Sequence, residues 1–438
     1  MDSIWKTGME LPEYSELKSD VNVDVLIIGG GMTGILCAHF LKERGVDYIL
    51  SEAGNICSGT TGNTTAKITA QHSLIYAKIL KSRGLETAAM YLHANLDAVQ
   101  KFAEICENAD CDFERKTSHV YSTDSLKKLE KEADALARIG FFSDITDRTE
   151  LPFPVAGALV FNNQAQFNPL KFIAHIAPGL KIREHTRIVE FLQDEKGENM
   201  AVTDKGRKIR FKKAIFAAHF PINNKHGLYF LKLYQHRSYV IALKGTPKIH
   251  GMYVDKDKKG LSFRGYGDMM LIGGGSHRTG KKGGDWQELR DFARRYYPES
   301  KEEAFWATQD CMSLDGVPYI GSYSPNMPGC FVASGYNKWG MTSSMVAAML
   351  LADMVTEKEN PYAKVFDPSR SMIKPQLFLN GCEAVKNLLT PTTRRCPHMG
   401  CALKWNVTEQ SWDCPCHGSR FEREGQVLDN PANGELKK

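Results

Sequence analysis

Residues 23–52 read VDVLIIGGGMTGILCAHFLKERGVDYILSE. Val23 to Ile28 is a short apolar run that ends in three glycines, the pattern of a buried strand feeding a tight turn. Met32 to Arg44 then carries helical spacing, with Ile35, Leu36, Ala38, Phe40 and Leu41 on its apolar side, and Gly45 closes it. Val46 to Leu50 is a second strand. The stretch is a β-α-β unit with Gly29-x-Gly31-x-x-Gly34 at its first turn. Gly29 permits the turn, Gly31 lets backbone approach a pyrophosphate, and Gly34 lets helix and strand pack closely. The helix start at Met32 and Thr33 offers free N–H groups and a partial positive charge to phosphates. Glu52, at the tip of the second strand, is placed to accept hydrogen bonds from ribose hydroxyls. No arginine follows it, which disfavours a 2′-phosphate. These residues predict a dinucleotide, FAD or NAD.

Outward from this unit, the chain divides by pattern. Residues 1–20 form a polar leader, and 21–150 the first part of a nucleotide-binding domain with amphipathic helices over 74–110 and 124–140. Residues 151–300 turn to short β-rich runs, among them Ile209–Ala218 and Met269–Ile272. They predict a mainly antiparallel substrate domain that also returns strands to the first domain. Residues 301–358 close the nucleotide-binding domain, 359–392 read as a linker, and 393–438 as a small terminal module. The predicted class is α/β plus β: a Rossmann-like domain, an inserted antiparallel sheet and a small β module. A chain of 438 residues with 24% charged residues and a net charge of +5 carries no basic run long enough to argue for nucleic acid. It has no apolar run of membrane-spanning length and no signal-peptide pattern, so the expected location is the cytoplasm.

Two further loops bear on the choice of cofactor. Residues 56–72, ICSGTTGNTTAKITAQH, are rich in small hydroxyl residues, and Thr60 and Thr61 suit a loop around an isoalloxazine ring. Near the end, Gly335-Tyr336-Asn337-Lys338-Trp339-Gly340-Met341-Thr342 precedes a long helix, whose N-terminus can stabilise the charge of a reduced flavin. With SLDGVPYIG at 313–321, these stretches resemble the D-amino-acid-oxidase-like (glycine/sarcosine oxidase) flavoprotein superfamily over residues 20 to about 370. The resemblance implies tightly held FAD and hydride abstraction from a C–N bond. Gly335, Gly340, Met341 and Thr342 become FAD contacts alongside Gly29, Gly31, Met32, Thr33, Gly34 and Glu52. Some amino-acid-oxidising relatives carry a basic residue near Thr342, and this chain does not. Cys311 lies near where sarcosine oxidases attach flavin covalently; a free or core thiol is the blander reading.

The terminal module reads Cys396-Pro-His398-Met-Gly-Cys401 and Cys414-Pro-Cys416-His417-Gly418-Ser419. Of eleven cysteines, these four crowd into one short stretch with two histidines, which in a reducing compartment reads as metal chemistry. In a Rieske centre two histidines replace two cysteines on one iron, and Cys396, His398, Cys414 and His417 fit that set. Zinc and a simple disulfide knot compete; Cys-x-His with Cys-x-x-His on proline- and glycine-rich loops fits a zinc finger poorly. The stretch through Trp412-Asp413 and Gly418-Ser419-Arg420-Phe421 resembles Rieske [2Fe–2S] domains, in particular those fused to bacterial FAD oxidoreductases. That resemblance implies a disulfide between Cys401 and Cys416 and a hydrogen bond from Ser419 to a bridging sulfide. Leu388 to Arg395 is too short for the usual strand base, so the module is expected to lean on the flavin domain.

A flavin accepts two electrons and a Rieske centre carries one. The expected function is oxidation of an amine or amino-acid-like substrate, with electrons passing between FAD and the cluster to an unidentified donor or acceptor. Candidate catalytic residues are Lys67, His277 and Trp339; Arg264 and Arg237 are candidate anion clamps. The alternatives are an electron-transfer protein whose flavin is reduced by another protein, and a redox sensor.

Overall fold

The computed structural model describes residues 2–193, 198–224, 226–257 and 260–436. Strand β1 (Val21–Ile28), helix α1 (Met32–Glu43) and strand β2 (Tyr48–Ser51) form the β-α-β unit. Nine of the twelve α1 residues are buried, because the helix is covered on one side by its sheet and on the other by the helix Gly340–Val355. That second helix is apolar almost all round, as a helix buried within a domain must be.

The first sheet runs in the order Tyr319–Ser322, Cys330–Ser334, Lys208–Phe216, β1, β2, Ile182–Arg183. All neighbours are parallel except the Tyr319–Ser322 pair. The Lys208–Phe216 strand returns beside β1, with Ile27 opposite Ile215. Parallel strands covered on both faces explain the continuous apolar runs.

The second sheet is mainly antiparallel and draws strands from a wider span than residues 151–300. Glu114–Ser122 pairs with Gly157–Gln166, and Lys301–Ser313 pairs along its whole length with Leu233–Lys244. Both added strands mix charged with apolar residues, which hides them from a search for clean alternation. Lys301–Ser313 is moreover an edge strand, where charge is tolerated.

Two expectations change. The N-terminal leader is packed: Trp5 is buried, sits edge-on to Tyr266 at 4.7 Å, and donates to the Thr64 carbonyl at 2.7 Å. The stretch 359–392 is no open tether, since it contains the helix Pro375–Leu389. This helix is inverted. It buries Asn380 and Asn387 and exposes Phe378, Leu379, Val385 and Leu389. The inward face is polar because it meets polar partners: Arg278 donates to Asn380 at 2.8 Å, and Lys281 pairs with Glu383 at 2.5 Å.

The terminal module is a four-stranded antiparallel meander of short strands, Lys404–Asn406, Ser411–Asp413, Arg420–Phe421 and Val427–Asp429. Its own apolar cluster is small, built on Leu403, Phe421, Ala432 and Leu436 around the four cysteines. A core of that size cannot carry a domain alone. The module is seated on the rest of the chain through polar contacts, among them Arg237 with Glu409 and Gln235 with the His417 carbonyl. Among the described residues, no helix is long and apolar enough to cross a membrane.

Candidate flavin site and cluster centre

A cavity of about 1160 Å³ opens at the N-terminus of α1. Its wall includes Gly29, Gly31, Met32, Thr33, Glu52, Thr60, Thr61, Gly335, Gly340 and Met341. Gly29 has φ +107°, and a Cβ there would lie 2.7 Å from the Ala217 carbonyl oxygen. A Cβ on Gly34 would lie 1.9 Å from the Gly29 carbonyl oxygen, so Gly34 serves helix–strand packing behind the wall. Gly31 faces open space apart from Thr61, leaving room for a phosphate at the helix end. Glu52 is held at the rim by Gly30 N–H at 2.6 Å and Gly54 N–H at 2.8 Å. Thr61 Oγ1 accepts from Met32 N–H at 2.9 Å. A long cavity starting at a glycine-built helix N-terminus, with an acid at the tip of the next strand, fits FAD.

The cavity wall also contains Lys67, His72, Trp339 and Tyr336, the last bonded to Thr33 at the start of α1 at 2.9 Å. Trp339 stacks on His72, with ring centroids 5.0 Å apart and 14° between planes. Thr342 stands behind this pair: its hydroxyl donates to the Thr69 carbonyl at 3.1 Å and so accepts from His72 Nε2 at 2.8 Å. The other nitrogen, Nδ1, then accepts from Tyr91 at 2.7 Å. Burial pulls His72 down to about 3, so it is a neutral wall residue. Burial and the Arg264 guanidinium lower Lys67 to about 7. The loop before Trp339 holds Asn337 and Lys338 at φ of 53° and 77°, an arrangement secured by Ser313 N–H donating to Asn337 Oδ1 at 2.9 Å.

Three candidates fall elsewhere. His277 is outside the cavity wall: strand alternation turns Ser276 to the cavity, while the His277 ring stacks on Tyr239. Arg264 is fully buried and clamps backbone, donating to the carbonyls of Thr65 and Ala66 at 2.6 and 2.9 Å. Arg237 does clamp an anion, but the anion is Glu409 of the terminal module. Cys311 is a buried thiol in the cavity wall.

The two ligand loops share one geometry. Cys396 N–H bonds the Cys401 carbonyl and Gly400 N–H the Cys396 carbonyl, each at 2.9 Å. Cys414 N–H bonds the Ser419 carbonyl and Gly418 N–H the Cys414 carbonyl, at 2.8 and 2.9 Å. Gly400 and Gly418 sit at the same place in each loop, with φ of 75° and 85°. The turns bring the His398 and His417 rings to 4.8 Å and gather the sulfurs of Cys401, Cys414 and Cys416 within 4.8 Å of one another. Cys396 and Ser419 adjoin the same group. Cys401 and Cys416 are separate thiols here, not the bridge expected from the sequence, although their sulfurs lie close. His398 Nε2 is held by Asn224 Oδ1 at 3.0 Å, and the His417 ring bonds the Phe230 backbone. Nδ1 of His417 is buried with no hydrogen-bond partner among the described residues. An orphaned imidazole nitrogen beside gathered sulfurs, with outer nitrogens already tied, is the donor set of an iron–sulfur cluster with histidine ligands.

Comparison with known proteins agrees with this geometry. Residues 24–354 match the DAO family, "FAD dependent oxidoreductase". The chain belongs to the DAO family of FAD-dependent oxidoreductases. Residues 375–438 match the Rieske [2Fe-2S] domain. Along its whole length the chain is 35% identical to a protein named as the Rieske 2Fe-2S iron-sulfur protein YhfW of Bacillus subtilis (strain 168), covering 97% of that relative. A 42-residue stretch, 10% of this chain, is 50% identical to cytochrome b6-f complex iron-sulfur subunit 2 of Trichormus variabilis (strain ATCC 29413 / PCC 7937) and covers 24% of that protein. In fold, the chain is similar to glycine oxidase from Geobacillus kaustophilus, with TM-score 0.68 at 20% identity over 80% of this chain and 99% of that one. It is also similar to L-proline dehydrogenase from P. horikoshii, with TM-score 0.64 at 17% identity over 82% and 98%. This DAO-family oxidoreductase therefore binds FAD and carries a Rieske [2Fe–2S] cluster.

Sequence reasoning passed over the residues that seat the module: Asn224, Gln235, Arg278 and Gln309. Arg278 neighbours His277 and donates to the carbonyls of Pro415 and Cys416, both at 2.8 Å. His72 was within reach, since it ends the hydroxyl-rich segment.

Proposed function

We propose that this enzyme oxidises the C–N bond of an amine or amino-acid-like substrate beside Lys67 and Trp339 of the cavity wall, with electrons passing between the cavity and the cluster loops of the same chain. Bound FAD supplies a hydride acceptor and the cluster a one-electron carrier. The observation that supports the substrate class most is Lys67, a cavity-wall amine lowered to about 7. Near neutral pH it is substantially unprotonated and can take the proton that a substrate ammonium must lose before its lone pair closes the C=N bond. Trp339 and His72 form a flat, uncharged wall that orients the substrate carbon and excludes water. Lys338, also in the cavity wall, supplies a positive charge for a substrate carboxylate. Glycine oxidase and L-proline dehydrogenase, both similar in fold, carry substrate names of this class.

The test is an anaerobic titration of the purified holoprotein with a panel of primary and secondary amines and amino acids. Bleaching of flavin absorbance by a small amine is the expected result. Bleaching only by a reduced protein carrier would overturn the assignment and make the chain an electron-transfer protein.

A further inference from the structure

At His417 the histidine edge of the cluster module turns into the rest of the chain, while His398 stays half-buried. His417 is only 6% exposed, with the Phe220 and Phe230 rings 6.2 and 6.4 Å away, and His398 is tied to Asn224. The module reaches the cavity wall with Asn430 and Asn433, and the side chain of Gln235 bonds from the His417 loop to that same wall. Gln235 donates one amide hydrogen to the His417 carbonyl at 3.0 Å and the other to the Asn430 carbonyl at 2.9 Å. Two carbonyl acceptors fix the amide orientation, so its oxygen points the other way. There it accepts from His219 Nε2 at 2.9 Å. His219 is part of the cavity wall and sits in the left-handed region, φ 62°, where its carbonyl is held by Ser334 Oγ. Gln235 also pairs across the sheet with Cys311, another wall residue.

The fit is built to exclude alternatives. A Cβ on Gly418 would lie 2.5 Å from Gln235 Cβ, and a Cβ on Gly280 would lie 2.7 Å from Pro415 N. Both positions have positive φ, so glycine is required twice over where the module meets Gln235 and its neighbours. Gln309 gives an internal comparison. It donates to the Gly418 carbonyl at 2.9 Å, one residue from His417, but its side-chain oxygen accepts from Thr279, and only its main-chain carbonyl, four side-chain bonds away, meets the cavity wall at Thr60.

We infer that Gln235 is a positioning residue that couples the cavity to the cluster: the chain His219–Gln235–His417 is the bonded route for electrons that ends on a histidine ligand. The inference rests on the proposed internal electron transfer. Each event moves one electron. The two electrons of a C–N oxidation cross in two events, and an external one-electron acceptor clears the cluster between them.

The experiment is flash photoreduction of the flavin in purified holoprotein, with cluster reduction followed by visible absorption and freeze-quench EPR. It needs no substrate, because an added sacrificial donor such as EDTA supplies the electrons. Gln235→Leu, at unchanged FAD and iron content and unchanged EPR g-values, is expected to slow cluster reduction on the order of tenfold, the equivalent of about 1.4 kcal/mol of barrier. Gln309→Leu breaks a longer link, from the Thr60–Gln309 carbonyl bond through the whole side chain to Gly418, and is expected to slow transfer less than Gln235→Leu. His219→Leu breaks the same route from the cavity side without removing a hydrogen bond to the module, which keeps the test valid if Gln235→Leu fails to load its cluster. The double variant is expected to be no slower than either single one. Wild-type rates in Gln235→Leu and His219→Leu, or equal slowing in Gln309→Leu, would overturn the inference. No transfer at all in wild-type protein would instead overturn the proposed internal electron transfer.

Discussion

Arg237 and Glu409 form a buried, two-pronged ion pair that joins the large antiparallel sheet to the cluster module. Arg237 Nε donates to Oε1 at 2.9 Å and Nη2 donates to Oε2, with both side chains 6% exposed. Glu409 also accepts from Tyr239 at 3.1 Å and from Arg420 at 2.8 Å, and Arg420 in turn pairs with Asp413 and Asp429 at 3.0 Å. The module's sparse apolar core is thus offset by a charged network shared with the flavin domain.

Removing one partner of such a pair leaves the other charge buried. Arg237→Met should therefore cost about 3 kcal/mol. Denaturant unfolding followed at the cluster absorbance reads this, and the cluster transition should move ahead of the flavin transition. The two arginines hold the Glu409 carboxyl down to about 2. Its folded pKa is below its unfolded value, so its stabilisation is complete above the ordinary carboxylate range of about 4.3 and is lost as pH falls from there towards 2. Arg237→Met should flatten that part of the stability–pH curve.

Lys67 makes a prediction about rate. In the proposed role of base it is active when unprotonated, so kcat/KM should rise as pH passes upward through about 7. Lys67→Met should remove this rise and reduce kcat/KM by roughly 10²–10⁴-fold. His72, lowered to about 3, cannot supply a limb near neutrality. A rise that persists in Lys67→Met would assign the base elsewhere.

The inverted helix predicts an unusual mutational pattern. Asn387 is 2% exposed, its side chain donates to the Glu383 carbonyl at 2.8 Å, and its own carbonyl accepts from Ala402 N–H at 3.0 Å. Asn387→Ala should cost about 1–3 kcal/mol by unpairing buried groups. Leu389, 77% exposed, should tolerate serine within about 0.5 kcal/mol. Thermal unfolding of the two variants compares them directly.

Gly418 combines φ +85° with the close approach of Gln235. Gly418→Ala must displace either the ligand loop or the sheet. Iron and acid-labile sulfide should be lost while FAD is retained, as elemental analysis and the flavin spectrum will show.

The legible parts of this protein were those written in short spans of sequence. Gly29, Gly31, Gly34 and Glu52 declare themselves through a turn between two apolar runs, and Cys396, His398, Cys414 and His417 through ligands grouped on two loops. The docking residues declare nothing. Gln235 meets His417 across 182 positions and Arg278 meets Cys416 across 138, so no local pattern marks them. The helix Pro375–Leu389 was hidden for a different reason: its apolar positions face outward and its burial is polar, the reverse of the pattern that signals a packed helix. His277 and Arg278 show the limit within one strand, where a one-residue step decides which side chain reaches the cluster module.

The central claim is that the two redox centres of one chain work as a pair. Anaerobic addition of an oxidisable amine to wild-type holoprotein, with flavin absorbance and cluster EPR read on the same freeze-quenched samples, tests it most directly. The account predicts that the EPR signal of the reduced cluster grows as flavin absorbance falls. Full bleaching of the flavin beside a loaded cluster that stays oxidised would contradict it.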